Sequence, residues 1–305
     1  MDDLLHGVAQ TWECDAMGHL NVRFYVERAH EALAFLLLGV APADRDGEAA
    51  VVVGEHIRFH REVRPSGAYV VRGGWLAPAV GAEHGCGQAQ VAYLEMVRPS
   101  DGLVHATFLL EVRLARAPAD GAVLDPLDSL GDSFVELPDR GAPRGIDPGP
   151  RRETADLETA VRLGMVPIHR RVFSPADGDG RGGVRQAAFM ACLSDGIPHL
   201  LWRLRGEDRS TAGASGIGGA ALEYRFAYRR PARVGDLVEV RSGLRALGNK
   251  TQHFVHWLLD PRSGAAYATA EAVAVRFDLE ARRALPIDDA MRRRLEPQCI
   301  EGLTL

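Results

Sequence analysis

The sequence predicts an α+β protein in which one arrangement is used twice: a long helix wrapped by a five-stranded antiparallel sheet, followed by a second copy. Three observations predict this. The two halves match one another at a fixed spacing, each half reads as strand, long helix and four strands, and a stretch rich in proline and glycine separates them.

The repeat is clearest near the end of each half. Pro99–Thr107 parallels Pro261–Thr269 at an offset of 162, each reading as a hairpin turn that enters a long last strand. At the same offset Asp15-Ala16-Met17-Gly18 meets Asp177-Gly178-Asp179-Gly180, each between a first strand and a helix. Arg58-Phe59 with Gly67 recurs as Arg225-Phe226 with Gly235, and Val70-Val71-Arg72 as Val238-Glu239-Val240-Arg241, where the spacing slips by several residues. Matches in the same order point to duplication.

In the first half the patterning predicts strands over 5–13, 50–62, 68–78, 85–98 and 103–116. The helix, Val22 to Leu38, carries an apolar stripe of Val22, Tyr25, Val26, Ala29, Leu33 and Leu36 and is expected to be buried. In the second half strands are expected near 166–173, 219–230, 236–246, 251–260 and 265–278, with a helix from about residue 184. Pro198 should kink or restart that helix, because proline lacks an N–H and clashes with the preceding turn. From Pro118 to Pro150 there are six prolines and five glycines, read as a linker, and a helix is expected from Glu153 to Leu163. The domains are therefore placed at 1–117 and 165–305, the latter with a C-terminal tail helix, joined by a linker over 118–164.

Composition narrows the function. At 305 residues two domains are expected, and 46% apolar with 25% charged residues is ordinary for a globular chain. A net charge of −5 gives no electrostatic case for nucleic acid. The longest apolar run, Ala32–Ala41, is about half the roughly 20 residues that cross a bilayer, so no membrane span is expected. The amino terminus lacks the basic and apolar regions of a signal peptide, which points to the cytoplasm. Cys14, Cys86, Cys192 and Cys299 lie far apart, as expected for reduced thiols without a structural metal. His56 and His60 are too far apart along a strand to share an ion. The glycines of 216–221 precede a strand rather than a helix, against a dinucleotide site.

The most informative segment is Trp12-Glu13-Cys14-Asp15-Ala16-Met17-Gly18-His19-Leu20-Asn21, with Tyr25 on the helix that follows. One reading is a helix entry in which Gly18 turns the chain and Asn21 or His19 caps it. The other is a carboxylate at the positive end of a buried helix, where backbone N–H groups can stabilise a tetrahedral oxyanion; acyl transfer needs these two parts.

Here the sequence resembles the hotdog-fold thioesterases, the group that includes 4-hydroxybenzoyl-CoA thioesterase and the acyl-CoA thioesterases. Their pattern is Asp-x-x-Gly-His-x-Asn-Asn followed by a helix tyrosine; Asp15, Gly18, His19, Asn21 and Tyr25 fit, and Val22 replaces the second asparagine. Arg233–Asp236 and Leu247–Thr251 are similar to the family's later turns. The resemblance implies two tandem hotdog folds packed as an internal pseudo-dimer, with further self-association left open. It implies hydrolysis of an acyl-CoA or acyl-carrier-protein thioester, without metal or redox cofactor. Asp15 would be nucleophile or general base, with N–H groups around Gly18 and His19 as oxyanion hole and Asn21 in the same catalytic loop. Tyr25, Asn249, Lys250 and Thr251 are candidates for binding substrate. The second loop, with Asp177, Asp179 and Arg181, reads as a degenerate copy, having Arg181 and Gly183 where the first has His19 and Asn21. Two alternatives stand beside hydrolysis: a non-catalytic acyl-binding protein, and a hotdog enoyl-CoA hydratase or dehydratase.

Overall fold

The computed structural model describes residues 1–38, 50–77, 89–114, 134–146, 154–206 and 216–305. The chain forms two compact units, Met1–Leu20 with Phe24–Pro143, and Asn21–Arg23 with Arg144–Leu305. Among the described residues no helix is long and apolar enough to cross a membrane.

The first unit contains β1 (Asp2–Val8), β2 (Ala50–Phe59), β3 (Ala68–Trp75), β4 (Ala89–Val97) and β5 (Val104–Leu114), with α1 (Val22–Leu37) between β1 and β2 and belonging to this unit from Phe24 onward. Its strands are antiparallel neighbours in the order β1-β3-β4-β5-β2. Tyr25, Val26, Ala29, Ala32 and Leu33 form the buried face of α1, the 3.6-residue stripe of an amphipathic helix. The first strand is shorter than expected. It ends at Val8, and Thr11–Glu13 form a short helical turn because Gln10 and Glu13 satisfy each other's backbone N–H groups.

The second unit contains α2 (Leu157–Arg162), β6 (Val166–Val172), α3 (Gln186–Arg205), β7 (Ile217–Tyr228), β8 (Leu237–Leu247), β9 (Thr251–Leu259), β10 (Ala266–Asp278), β11 (Arg283–Ala284) and α4 (Asp289–Leu295). Its main strands run β6-β8-β9-β10-β7, antiparallel throughout, with β11 on β10. Numbered within each unit, both sheets have the order 1-3-4-5-2, which is the duplication seen at the level of topology. The two units are tandem hotdog folds.

The structure corrects the alignment of the copies. β5 and β10 keep the offset of 162, since Val104 answers to Ala266. The helices are offset by 164, Val22 answering to Gln186. The second strands are offset by 169: the bulge at Val53, facing Val112 and Glu111, corresponds to the bulge at Leu222, facing Ala274 and Val273. Phe59 therefore answers to Tyr228 rather than Phe226.

Pro198 lies inside α3, which nevertheless runs unbroken to Arg205. The proline forfeits the hydrogen bond to the Ser194 carbonyl, but Leu193, Leu200 and Leu204 are buried on either side and hold the turns in place. The helix stops at Gly206, whose φ of 67° favours glycine. The helix expected from Glu153 starts at Leu157, where Asp156 caps it through the Thr159 N–H at 2.7 Å. Residues 115–133 and 147–153 of the region around the linker, and Cys86, lie outside the described residues. The described part of 134–143 is fastened to the first unit: the Val135 N–H donates to the Trp75 carbonyl at 2.8 Å, and the Arg140 Nε to Glu95 Oε1 at 2.6 Å.

Candidate active site

The loop between β1 and α1 is built as a sequence of short backbone closures. Glu13, buried, accepts from the Gln10 N–H at 2.9 Å and from Arg28 on α1 at 2.6 Å. The Asp15 N–H donates to the His19 carbonyl and the Gly18 N–H to the Asp15 carbonyl, both at 2.9 Å. Gly18 has a φ of 74°, the left-handed conformation that the turn requires.

This turn places three titratable side chains in a row. Asp15 Oδ1 accepts from the Met17 N–H at 2.8 Å, leaving Oδ2 3.3 Å from His19 Nδ1. The other ring nitrogen, Nε2, lies 3.6 Å from Glu62 Oε1. Glu62 comes from the segment after β2, and its neighbour Val63 is clamped at both polar groups. The Leu20 N–H donates to the Val63 carbonyl at 2.8 Å, and the Val63 N–H to the Tyr25 hydroxyl at 3.0 Å. Sequence reasoning missed Glu62, because it lies 43 positions from His19 with nothing in the local pattern to connect them. The adjacent Cys14 thiol is pushed above its ordinary range by burial and by the nearby Asp15 charge, so it stays protonated and is a poor nucleophile.

Among the expected residues the structure brings Asp15 and His19 together. Gly18 is corrected: its N–H is spent on the Asp15 carbonyl, so it cannot serve an oxyanion. The His19 N–H has no partner among the described residues. Asn21 is the residue before α1, and its Oδ1 accepts from the Arg23 N–H at 3.1 Å, a helix cap. Its Nδ2 donates to Ser194 Oγ at 3.0 Å, a bond within the second unit. Tyr25, expected to bind substrate, is instead a core residue. It is 3% exposed, its ring meets Phe59 edge-on at 5.3 Å, and its hydroxyl is taken by Val63. Burial pushes this phenol well above its ordinary range.

The second loop repeats the scaffold without the row. With the offset of 164, Asp177 answers to Glu13 and Asp179 to Asp15, while His19 is replaced by Gly183, Asn21 by Arg185 and Met17 by Arg181. The Asp179 N–H donates to the Gly183 carbonyl at 3.0 Å, as Asp15 does to His19. Asp177 is a fastening residue, bonded to the Ser174 N–H and hydroxyl at 2.7 Å and paired with Arg171. Burial opposes its charge, but these bonds outweigh burial and hold the carboxyl below its ordinary range. Asp179 folds onto its own loop, with Oδ1 accepting from the Arg181 N–H at 2.7 Å and the Gly183 N–H at 3.0 Å. A side chain at Gly183 would collide with that carboxylate. At the offset of 169, Glu62 is answered by Pro231.

Asn249, Lys250 and Thr251 lie at the β8–β9 turn of the second unit. That turn is tied to the C-terminal segment by the Ile287 N–H, which donates to the Asn249 carbonyl at 2.9 Å, and by Arg292, which donates to the Gly248 carbonyl at 2.8 Å.

The model of the thioesterase-like superfamily matches residues 9–116 and 173–295, one match in each unit. The chain belongs to that superfamily. Among solved structures, a presumed oleoyl thioesterase from Lactobacillus plantarum aligns over 89% of this chain and 94% of its own, at 13% identity and a TM-score of 0.61. A 12:0-ACP thioesterase from Umbellularia californica aligns over 89% and 93%, at 12% identity and 0.60. An acyl-ACP thioesterase from Bacteroides thetaiotaomicron aligns over 88% and 96%, at 12% identity and 0.58. At these identities the likeness is one of fold, over the whole tandem arrangement. No curated protein matches the chain.

Proposed function

We propose that this superfamily member hydrolyses a thioester between an acyl group and coenzyme A or an acyl-carrier protein, with Asp15 as the reacting carboxylate. The observation that carries the reading is the row Asp15, His19, Glu62 beside an unpartnered backbone N–H, present in the first loop and dismantled in the second.

Acting as general base, the Asp15 carboxylate takes a proton from water while the water oxygen bonds to the thioester carbon. The carbonyl oxygen becomes an oxyanion, for which the unpartnered His19 N–H is the donor in this reading. Collapse breaks the C–S bond, and the thiolate leaves and recovers a proton. Acting as nucleophile, an Asp15 oxygen instead bonds to the thioester carbon, the C–S bond breaks and the thiolate leaves and takes up a proton, and water then opens the resulting mixed anhydride to the acid and the Asp15 carboxylate. Neither route draws on a metal or redox cofactor. His19, flanked by carboxylates on both ring nitrogens, holds Asp15 in position and shares its proton traffic.

The test is release of free thiol from a panel of acyl-CoA and acyl-carrier substrates by the full chain. Wild type should cleave at least one class, and Asp15→Asn should be about 10³-fold slower. Equal rates, or no cleavage of any substrate, would defeat the reading. Binding without cleavage would favour the acyl-binding alternative, and 3-hydroxyacyl products from an enoyl-CoA the hydratase. After a single turnover in ¹⁸O water, label in the Asp15 carboxyl marks the nucleophile route with water opening the anhydride at the Asp15 carbon, because the general-base route puts label only in the product acid.

A further inference from the structure

We propose that the Tyr25 hydroxyl is a positioning group for the first loop, acting through Val63 to hold Glu62 against His19. The inference rests on the reading of Asp15 as the reacting carboxylate, and the duplicated unit provides an internal control for it.

Val63 is 2% exposed, and its N–H donates to Tyr25 while its carbonyl accepts from Leu20. Glu62, one residue earlier, is thereby kept 3.6 Å from His19 Nε2. In the second unit the carbonyl half of this clamp survives: the Val184 N–H donates to the Ala232 carbonyl at 3.0 Å. The aromatic pair survives as well, with Phe189 and Tyr228 at 5.8 Å where the first unit has Tyr25 and Phe59 at 5.3 Å. What is missing is the hydroxyl, because Phe189 stands at the position of Tyr25. The counterparts of His19 and Glu62 are missing with it, as Gly183 and Pro231. Packing alone therefore does not require the hydroxyl; its presence follows the histidine and glutamate. The groups that face His19 are Asp15 and Glu62, with Cys14 and Tyr25 beside them.

The experiment is a double-mutant cycle in the full chain between Tyr25→Phe and Glu62→Gln. Phenylalanine already serves at the equivalent position of the second unit, so the ring packing should persist. Tyr25→Phe should lower kcat about 10-fold with KM little changed, Glu62→Gln by at least as much, and the double variant no further than Glu62→Gln alone. Exchange of the Val63 amide should quicken in Tyr25→Phe whether or not any substrate is cleaved. Additive losses, an unchanged kcat or an unchanged Val63 amide would overturn the proposal. Full activity in Asp15→Asn would defeat the reading of Asp15 instead, leaving the Val63 result to stand on its own.

Discussion

At the scale of the residue, the two loops differ in which acceptors are already used. Asp15 commits one oxygen to the Met17 N–H and turns the other to His19, whereas Asp179 commits one oxygen to two backbone N–H groups and has no imidazole to meet. The two aspartates should therefore respond in opposite ways. Asp179→Asn should leave thioester hydrolysis within about twofold of wild type and destabilise the fold by no more than about 0.5 kcal/mol, because the two N–H groups exchange a charged acceptor for a neutral one on an exposed loop. Comparison of turnover with the urea midpoint checks both halves of the expectation. His19→Ala should reduce kcat about 10²-fold while changing stability less, since its ring is half-buried between the Asp15 and Glu62 carboxylates and not in the core.

At the scale of the element, glycines decide where strands approach closely. Gly73 on β3 pairs with Leu94 on β4, and a Cβ there would press on the Tyr93 carbonyl and the Leu94 side chain. Backbone cannot give way as a flexible side chain can, so Gly73→Ala should destabilise the first unit by about 3 kcal/mol, read from its denaturation midpoint. Gly18 is the contrasting case. An added Cβ meets nothing, but φ is 74°, so Gly18→Ala should cost only about 1–2 kcal/mol of backbone strain while turnover falls as the loop shifts. The elements themselves were largely legible in the sequence, because alternation and the 3.6-residue stripe report directly on which face is buried. Their register was not. The bulges at Val53 and Leu222 each add a residue to one strand only, and no local pattern marks where an extra residue is absorbed.

At the scale of the whole molecule, buried histidines set the response to acid. His256 is fully buried, with Nδ1 2.6 Å from Ser242 Oγ, and burial pushes its pKa down to about 3. His60, His105, His169 and His253 are also lowered, burial being the first cause in each. Unfolded histidine titrates near pH ~6.5, so above that value both states are neutral and the fold bears no penalty. As the pH falls below it the unfolded chain takes up protons that the folded chain refuses, and stability is lost. His256 alone should cost about 1.4 kcal/mol per pH unit across that window. Urea midpoints at pH 7.5, 6.5 and 5.5 should fall at the last step, and less so in His256→Gln; a flat profile would refute the assignment. By itself the sequence determined the α+β class, the duplication and the Asp15–His19 loop, because these are written in residues near one another or in a repeat that compares the chain with itself. The tertiary structure alone decided which groups flank His19, that Tyr25 is buried with its hydroxyl on the Val63 N–H, and which second-loop aspartate matches Asp15. Those depend on backbone hydrogen bonds and strand bulges that join distant segments, and such closures leave no periodic trace in the chain.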